Sequence, residues 1–109
     1  MGQYVKELVE ADFPQEVLEN ATPSVVDFWG DRCAPCSILA PILEELAAEF
    51  NGQVNFFKMK ASDSIDVCSE YGVTAMPTLL LFKDGKIVNR FVGAVPKAQL
   101  LKFLQPALV

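Results

Sequence analysis

The feature that most constrains this chain is the run SVVDFW from Ser24 to Trp29, rich in β-branched and aromatic residues and bounded by Pro23 and Gly30. A short, nearly continuous apolar run between turn residues reads as a buried strand. The next segment is helical. From Cys33 onward, Leu39, Ile42, Leu43, Leu46, Ala47 and Phe50 recur at helical spacing with Glu44, Glu45 and Glu49 opposite, up to a stop near Asn51-Gly52. Pro41 lies inside this pattern, where a kink is expected. Val54 to Met59 (VNFFKM) is the next strand, and Ser62 or Ser64 then caps a helix that reaches Tyr71-Gly72. Thr78 to Lys83 and Lys86 to Val92 form an antiparallel pair, joined by the two-residue hairpin signal Asp84-Gly85. A last helix begins near Pro96, buries Leu100, Phe103 and Leu104, and ends by Pro106. Ahead of the central run, Tyr4 to Leu8 reads as a short edge strand. A first helix starts at Ala11 or Asp12 and passes through Val17 and Leu18, ending before Thr22-Pro23. Helix and strand patterns alternating and then closing on a hairpin and a helix predict an α/β fold. Its centre is a mixed β-sheet with helices packed on both faces.

Size and charge narrow the function. The chain has 109 residues, 51% of them hydrophobic, and no internal repeat or linker. One domain over residues 1–109 is expected, with a core large enough that stability need not rest on cysteines. Fourteen acidic against nine basic side chains leave a net charge of −5. That balance repels phosphate backbones and anionic lipid, so neither nucleic acid nor a membrane surface is an expected partner. No apolar run approaches the ~20 residues of a membrane span, and Met1 to Glu10 lack a signal-peptide pattern, so a cytoplasmic location is expected.

The chemistry sits at the end of the central run. Cys33-Ala34-Pro35-Cys36 puts two thiols one helical turn apart where a strand gives way to a helix. The unpaired N–H groups and positive dipole end of the helix favour a thiolate there, which makes Cys33 the better nucleophile. Cys36, one turn on and facing the core, is placed to attack a mixed disulfide on Cys33 and release the reduced substrate. Pro35 suits a first turn, where its missing N–H is not needed. Two buried small residues would be the bland reading of the pair. A metal site would need more soft ligands than one further cysteine, Cys68, and no histidine can supply. Asp27 shares a strand face with Val25 and Trp29 inside a run too apolar for the surface. Burial raises the pKa of such an acid and makes it a proton acceptor for Cys36; an ion pair with Lys58 is a second, compatible role. Met76-Pro77 precedes a buried strand and marks either its first residue or a cis turn. Cys68 reads as a small buried hydrophobe rather than a regulatory thiol.

The segments VDFWGDRCAPCSILAPILEELA (Val26 to Ala47), YGVTAMPTLLLFKDGK (Tyr71 to Lys86) and the FVGAVPKAQLLKFL ending resemble the thioredoxin family in order and spacing over nearly the whole chain. The resemblance implies the thioredoxin fold and a protein dithiol–disulfide oxidoreductase that reduces client disulfides. Cys33 would be the exposed attacking thiol and Cys36 the resolving one, joined in the oxidised state as a redox-active disulfide. Asp27 matches the family's buried acid, Lys58 its lysine partner, Pro77 the cis-proline opposite the dithiol and Pro41 the helix kink. A shallow docking face would comprise Trp29, Arg32, Ala34, Pro35, Ala75, Met76, Val92, Gly93 and Ala94, with an extended client segment pairing beside Pro77. The implied partners are thioredoxin reductase or another electron donor, and disulfide-bearing client proteins. A monomer without further cofactor, working in electron transport and cell redox homeostasis, is the implied form. Departures cluster at the site: Arg32, Ala34 and Ser37 stand where the family usually carries Trp, Gly and Lys. Arg32 adds a cation beside the attacking thiol, Ser37 removes one after the resolving thiol, and Ala34 trims backbone freedom. A thioredoxin-fold binding or scaffold module with weak turnover is the alternative function. An oxidase or isomerase of an oxidising compartment is a third, disfavoured by the start of the chain.

Overall fold

In the computed structural model, which describes residues 2–108, the chain forms five strands and three α-helices. These are β1 (Val5–Glu7), β2 (Ser24–Trp29), α1 (Ala34–Glu49), β3 (Asn55–Lys60), α2 (Ile65–Tyr71), β4 (Thr78–Lys83), β5 (Lys86–Val92) and α3 (Lys97–Leu108). The sheet order is β1-β3-β2-β4-β5, with β1, β3 and β2 parallel, and β4 antiparallel to both β2 and β5. The mixed α/β sheet expected from the alternation is therefore present. β2 lies at its centre, and every residue of it but Trp29 is buried, Ser24 and Asp27 included.

The two faces of the sheet bury different helices. On one, Val25, Phe56, Leu79 and Leu81 pack against Leu39, Leu43 and Leu46 of α1 and Leu100, Phe103 and Leu104 of α3. On the other, Val26, Phe28, Phe57, Met59, Leu80 and Phe82 meet Phe13, Val17 and the α2 residues Val67 and Cys68. Alternation along β2 thus sends Val25 and Asp27 toward α1, and Val26 and Phe28 toward α2. Lys97 ties the start of α3 to α1 through ion pairs with Glu45 (2.5 Å) and Glu49.

Several boundaries differ from the expectations. The first helix is a 3₁₀ turn at Glu10–Asp12 followed by a π-helical segment at Pro14–Leu18, closed by the Glu19 N–H donating to the Pro14 carbonyl at 2.9 Å. β3 starts and ends one residue later than Val54 to Met59. α3 runs through Pro106 instead of ending there. A proline in the last turn removes a single ladder bond, and buried Ala107 holds that turn against the core. Ser64 is the N-cap residue of α2, but its side chain makes no cap bond; the Val67 N–H donates instead to the Glu10 carboxylate at 2.8 Å. Glu44 of α1 accepts from the backbone N–H groups of Gln3, Tyr4 and Val5 at 2.7, 2.5 and 3.0 Å, clasping the approach to β1. Burial opposes ionisation of Glu44, but those three donors outweigh it and hold the carboxyl below its usual value.

Candidate active site

The site forms where β2 ends. Gly30, Asp31 and Arg32 turn the chain out of the sheet, and Cys33 is the N-cap of α1 in extended conformation (φ −110°, ψ 97°). Pro35 occupies the first turn of that helix. Cys33 and Cys36 are joined in a disulfide with Sγ–Sγ 2.12 Å and Cα–Cα 5.2 Å. The two sulfurs differ in environment. Cys33 is partly exposed, whereas Cys36 is 7% exposed and faces the core. The backbone N–H of Cys36 donates to Cys33 Sγ at 3.2 Å. A donor of this kind, together with the helix dipole, stabilises negative charge on Cys33 sulfur once the bond is opened.

Asp27 lies behind the pair. Its carboxyl is 5% exposed, and burial pushes its pKa from 3.8 up to about 7, with the positive charge of Lys58 pulling the other way. Lys58 is its register partner on β3, but the two form no ion pair within 4.0 Å, and Asp27 Oδ1 has no hydrogen-bond partner among the described residues. The direct ion pair expected for Asp27 is therefore absent, and Lys58 acts on it at longer range. A cavity of about 640 Å³ brings Asp27 together with Cys33, Cys36, Trp29, Arg32, Ala34 and Lys58. A second, of about 670 Å³, reaches Asp27 and Lys58 from under the Glu44 clasp, on the far side of Ala40. A buried carboxyl poised near neutrality and open to a cavity shared with Cys36 can take up and release a proton.

The opposite wall begins with the Met76-Pro77 peptide, which is cis and leads into β4. Thr78 Oγ1 donates to the Ala75 carbonyl at 2.6 Å, and the Gly93 N–H donates to the Pro77 carbonyl at 2.8 Å. Register pairs Thr78 with Val92, so Ala75, Met76, Pro77, Val92, Gly93 and Ala94 share one end of the sheet. Met76 reaches across to the other wall: a Cβ built on Gly30 would lie 3.6 Å from Met76 Cγ. Val92 is 54% exposed and Ala75 is open to solvent, while Met76, Gly93 and Ala94 are half-buried and Pro77 is buried. Ala34 and Pro35 complete the exposed apolar rim beside the disulfide.

One cluster escaped the sequence reading. Lys60, at the end of β3 and in register with Trp29, forms an ion pair with Asp31 at 3.1 Å and sits 5.6 Å from the Trp29 ring centroid. Contact with Asp31 raises the pKa of Lys60. The alternation Lys58, Met59, Lys60 was the available signal, since it places both lysines on the Asp27 and Trp29 face. Cys68 lies in the other face's core, its Sγ 3.9 Å from the Ala61 carbonyl, and burial pushes its thiol pKa up. No group of three or more His, Cys, Asp or Glu side chains is placed to hold a metal among the described residues, and no helix among them is long and apolar enough to cross a membrane.

Comparison with known proteins gives the same picture. The thioredoxin family model matches residues 4–106. Thioredoxin 1 of Synechococcus elongatus is 43% identical over 101 residues, covering 93% of this chain and 94% of that protein. The thioredoxin of Haemophilus influenzae is 44% identical over 95 residues, covering 87% and 89%. That of Pseudomonas aeruginosa is 38% identical over 104 residues, covering 95% and 96%.

Proposed function

This chain belongs to the thioredoxin family and is a protein dithiol–disulfide oxidoreductase; we propose that Cys33 attacks client disulfides, Cys36 resolves them and Asp27 handles the resolving proton. The observation that carries this division of labour is the asymmetry of the pair. Cys33 is partly exposed and accepts a backbone hydrogen bond, and Cys36 is buried beside the cavity that Asp27 lines. In the reduced protein the Cys33 thiolate attacks one client sulfur, forming a mixed disulfide and expelling the other client sulfur as a thiolate. Cys36 gives its proton to Asp27, directly or through water. Its sulfur then attacks Cys33 Sγ, closing the intramolecular disulfide and releasing the second client thiolate. Two electrons pass to the client, and the protein is left in its disulfide-bonded, oxidised form.

Lys58 is a positioning residue in this reading: its charge keeps Asp27 from rising further. Trp29, Ala34, Pro35, Ala75, Met76, Val92, Gly93 and Ala94 offer an apolar rim, and a client segment lying beside Pro77 would pair with backbone there. The family suggests a thioredoxin reductase, or another dithiol donor, as the source of electrons. Thiol–disulfide exchange needs no bound group, and we read the protein as a cytoplasmic monomer that uses only its own sulfurs.

A Cys36→Ser variant tests the assignment. It should accumulate client proteins as mixed disulfides on Cys33, while Cys33→Ser should trap none. The wild-type protein should also reduce insulin disulfides with dithiothreitol as donor. Failure of both trapping and turnover in folded protein would leave only a binding module.

A further inference from the structure

Arg32 is the exposed charge nearest in sequence to the attacking sulfur, and nothing in the exchange chemistry requires it. It occupies the turn between β2 and α1 with φ +53°, in the left-handed region that a side chain of this size seldom adopts. Side chains held in such conformations cluster at functional sites. Its guanidinium makes no hydrogen bond or ion pair among the described residues. The neighbouring carboxylate, Asp31, is taken by Lys60 at 3.1 Å, and Asp27 is buried behind the disulfide with Lys58 beside it. Across the site, Ala75, Met76, Val92 and Ala94 bring no charge. The rim around Cys33 therefore carries one exposed, uncompensated charge, and it is positive.

Resting on the reading of Cys33 as the attacking thiol, we propose that Arg32 is a specificity-determining residue: it favours client disulfides whose attacked cysteine is flanked by Asp or Glu, and disfavours those flanked by Lys or Arg. An extended segment advances about 3.3 Å per residue, so the neighbour of an attacked cysteine lies within reach of an arginine adjacent to Cys33. A guanidinium can meet a carboxylate through two parallel N–H donors, which a lysine cannot do. An exposed contact of this kind should raise kcat/KM two- to fivefold, about 0.4–1 kcal/mol. The overall charge of −5 acts the other way at long range, repelling acidic clients as whole bodies. The selection is for local placement of an acid, not for acidic proteins.

Disulfide-linked symmetric peptide dimers test this. In one isomer Glu sits beside the cysteine; in the other the same Glu is several residues away, so net charge is equal and long-range steering cancels. The ratio of kcat/KM for the Glu-adjacent isomer to that for the distant isomer contains the intrinsic reactivity of each disulfide, which is common to all variants, and the Arg32 contribution, which is not. The ratio should fall two- to fivefold from wild type to Arg32→Gln, keep an intermediate value in Arg32→Lys, and shrink in high salt. Any general effect of Arg32 on Cys33 reactivity multiplies both rates and leaves the ratio unchanged. The same ratio in wild-type and Arg32→Gln protein would overturn the proposal. Absence of turnover on both isomers by folded protein would overturn the attacking role of Cys33 itself, and the proposal with it.

Discussion

Replacing Asp27 with Asn should change how stability depends on pH, by an amount set by its burial. The carboxyl is 5% exposed and titrates at about 7 in the folded protein against 3.8 when solvated, burial being the dominant cause and Lys58 a partial offset. Below pH 3.8 it is neutral whether the chain is folded or not, and it contributes nothing to the pH dependence. Between pH 3.8 and about 7 the unfolded chain ionises while the folded one keeps its proton, so stability falls by about 1.4 kcal/mol for each pH unit. Above about 7 both states are charged and the fall is complete, at about 4 kcal/mol. The Asn side chain has no such titration. Urea unfolding of oxidised wild-type and Asp27→Asn protein at pH 4 and pH 8 should therefore show the variant gaining about 4 kcal/mol on the wild type between the two values. Comparing two pH values cancels the fixed cost of a buried amide and every titration the two proteins share. Under the proposed roles, the same variant should resolve mixed disulfides at least tenfold more slowly near neutrality, for want of a carboxylate to take the Cys36 proton. A relative gain under about 1 kcal/mol would mean that Asp27 is hydrated enough to ionise normally, and the proton-acceptor role would go with it.

Lys58→Met should move the upper edge of that window to higher pH, since Lys58 now opposes the effect of burial on Asp27; carboxyl-carbon NMR of Asp27 would record it. Gly85→Ala should destabilise by about 2 kcal/mol, because φ is +77° and the new Cβ would lie 2.9 Å from the Leu18 carbonyl oxygen. Gly52→Ala, at φ +88° with nothing within 4 Å, should cost only the backbone strain, about 1 kcal/mol, and urea midpoints would separate the two. Glu44→Ala should release the three backbone N–H groups it holds, so that hydrogen exchange at Gln3, Tyr4 and Val5 speeds up about tenfold or more.

Elements whose signal is local were legible from composition and spacing. β2 was legible because a short apolar run between Pro23 and Gly30 leaves few alternatives to a buried strand, and it spans the same six residues in the structure. The β4–β5 hairpin was legible because Asp84 and Gly85 both take positive φ, 54° and 77°, as a two-residue hairpin turn demands. The cysteine pair and the burial of Asp27 could be read the same way, from strand alternation and helix-start chemistry. The outer rim at Met76, Val92 and Gly93 was another matter. Those residues look like ordinary strand and loop positions, and only the family resemblance singled them out.

The order of residues determined by itself the alternation of elements, the central strand, and two sulfurs one turn apart at a helix start, because each depends on neighbours a few positions away. Tertiary structure alone decided which distant charges meet: Glu10 on the start of α2, Glu44 on the approach to β1, and Lys60 on Asp31 beside Trp29. The same is true of the cavity that joins Asp27 to Cys36. The reason is that side-chain partners far apart in sequence are chosen by strand register and by how helices lie across the sheet. A shift of one residue in register turns every side chain of a strand to the other face.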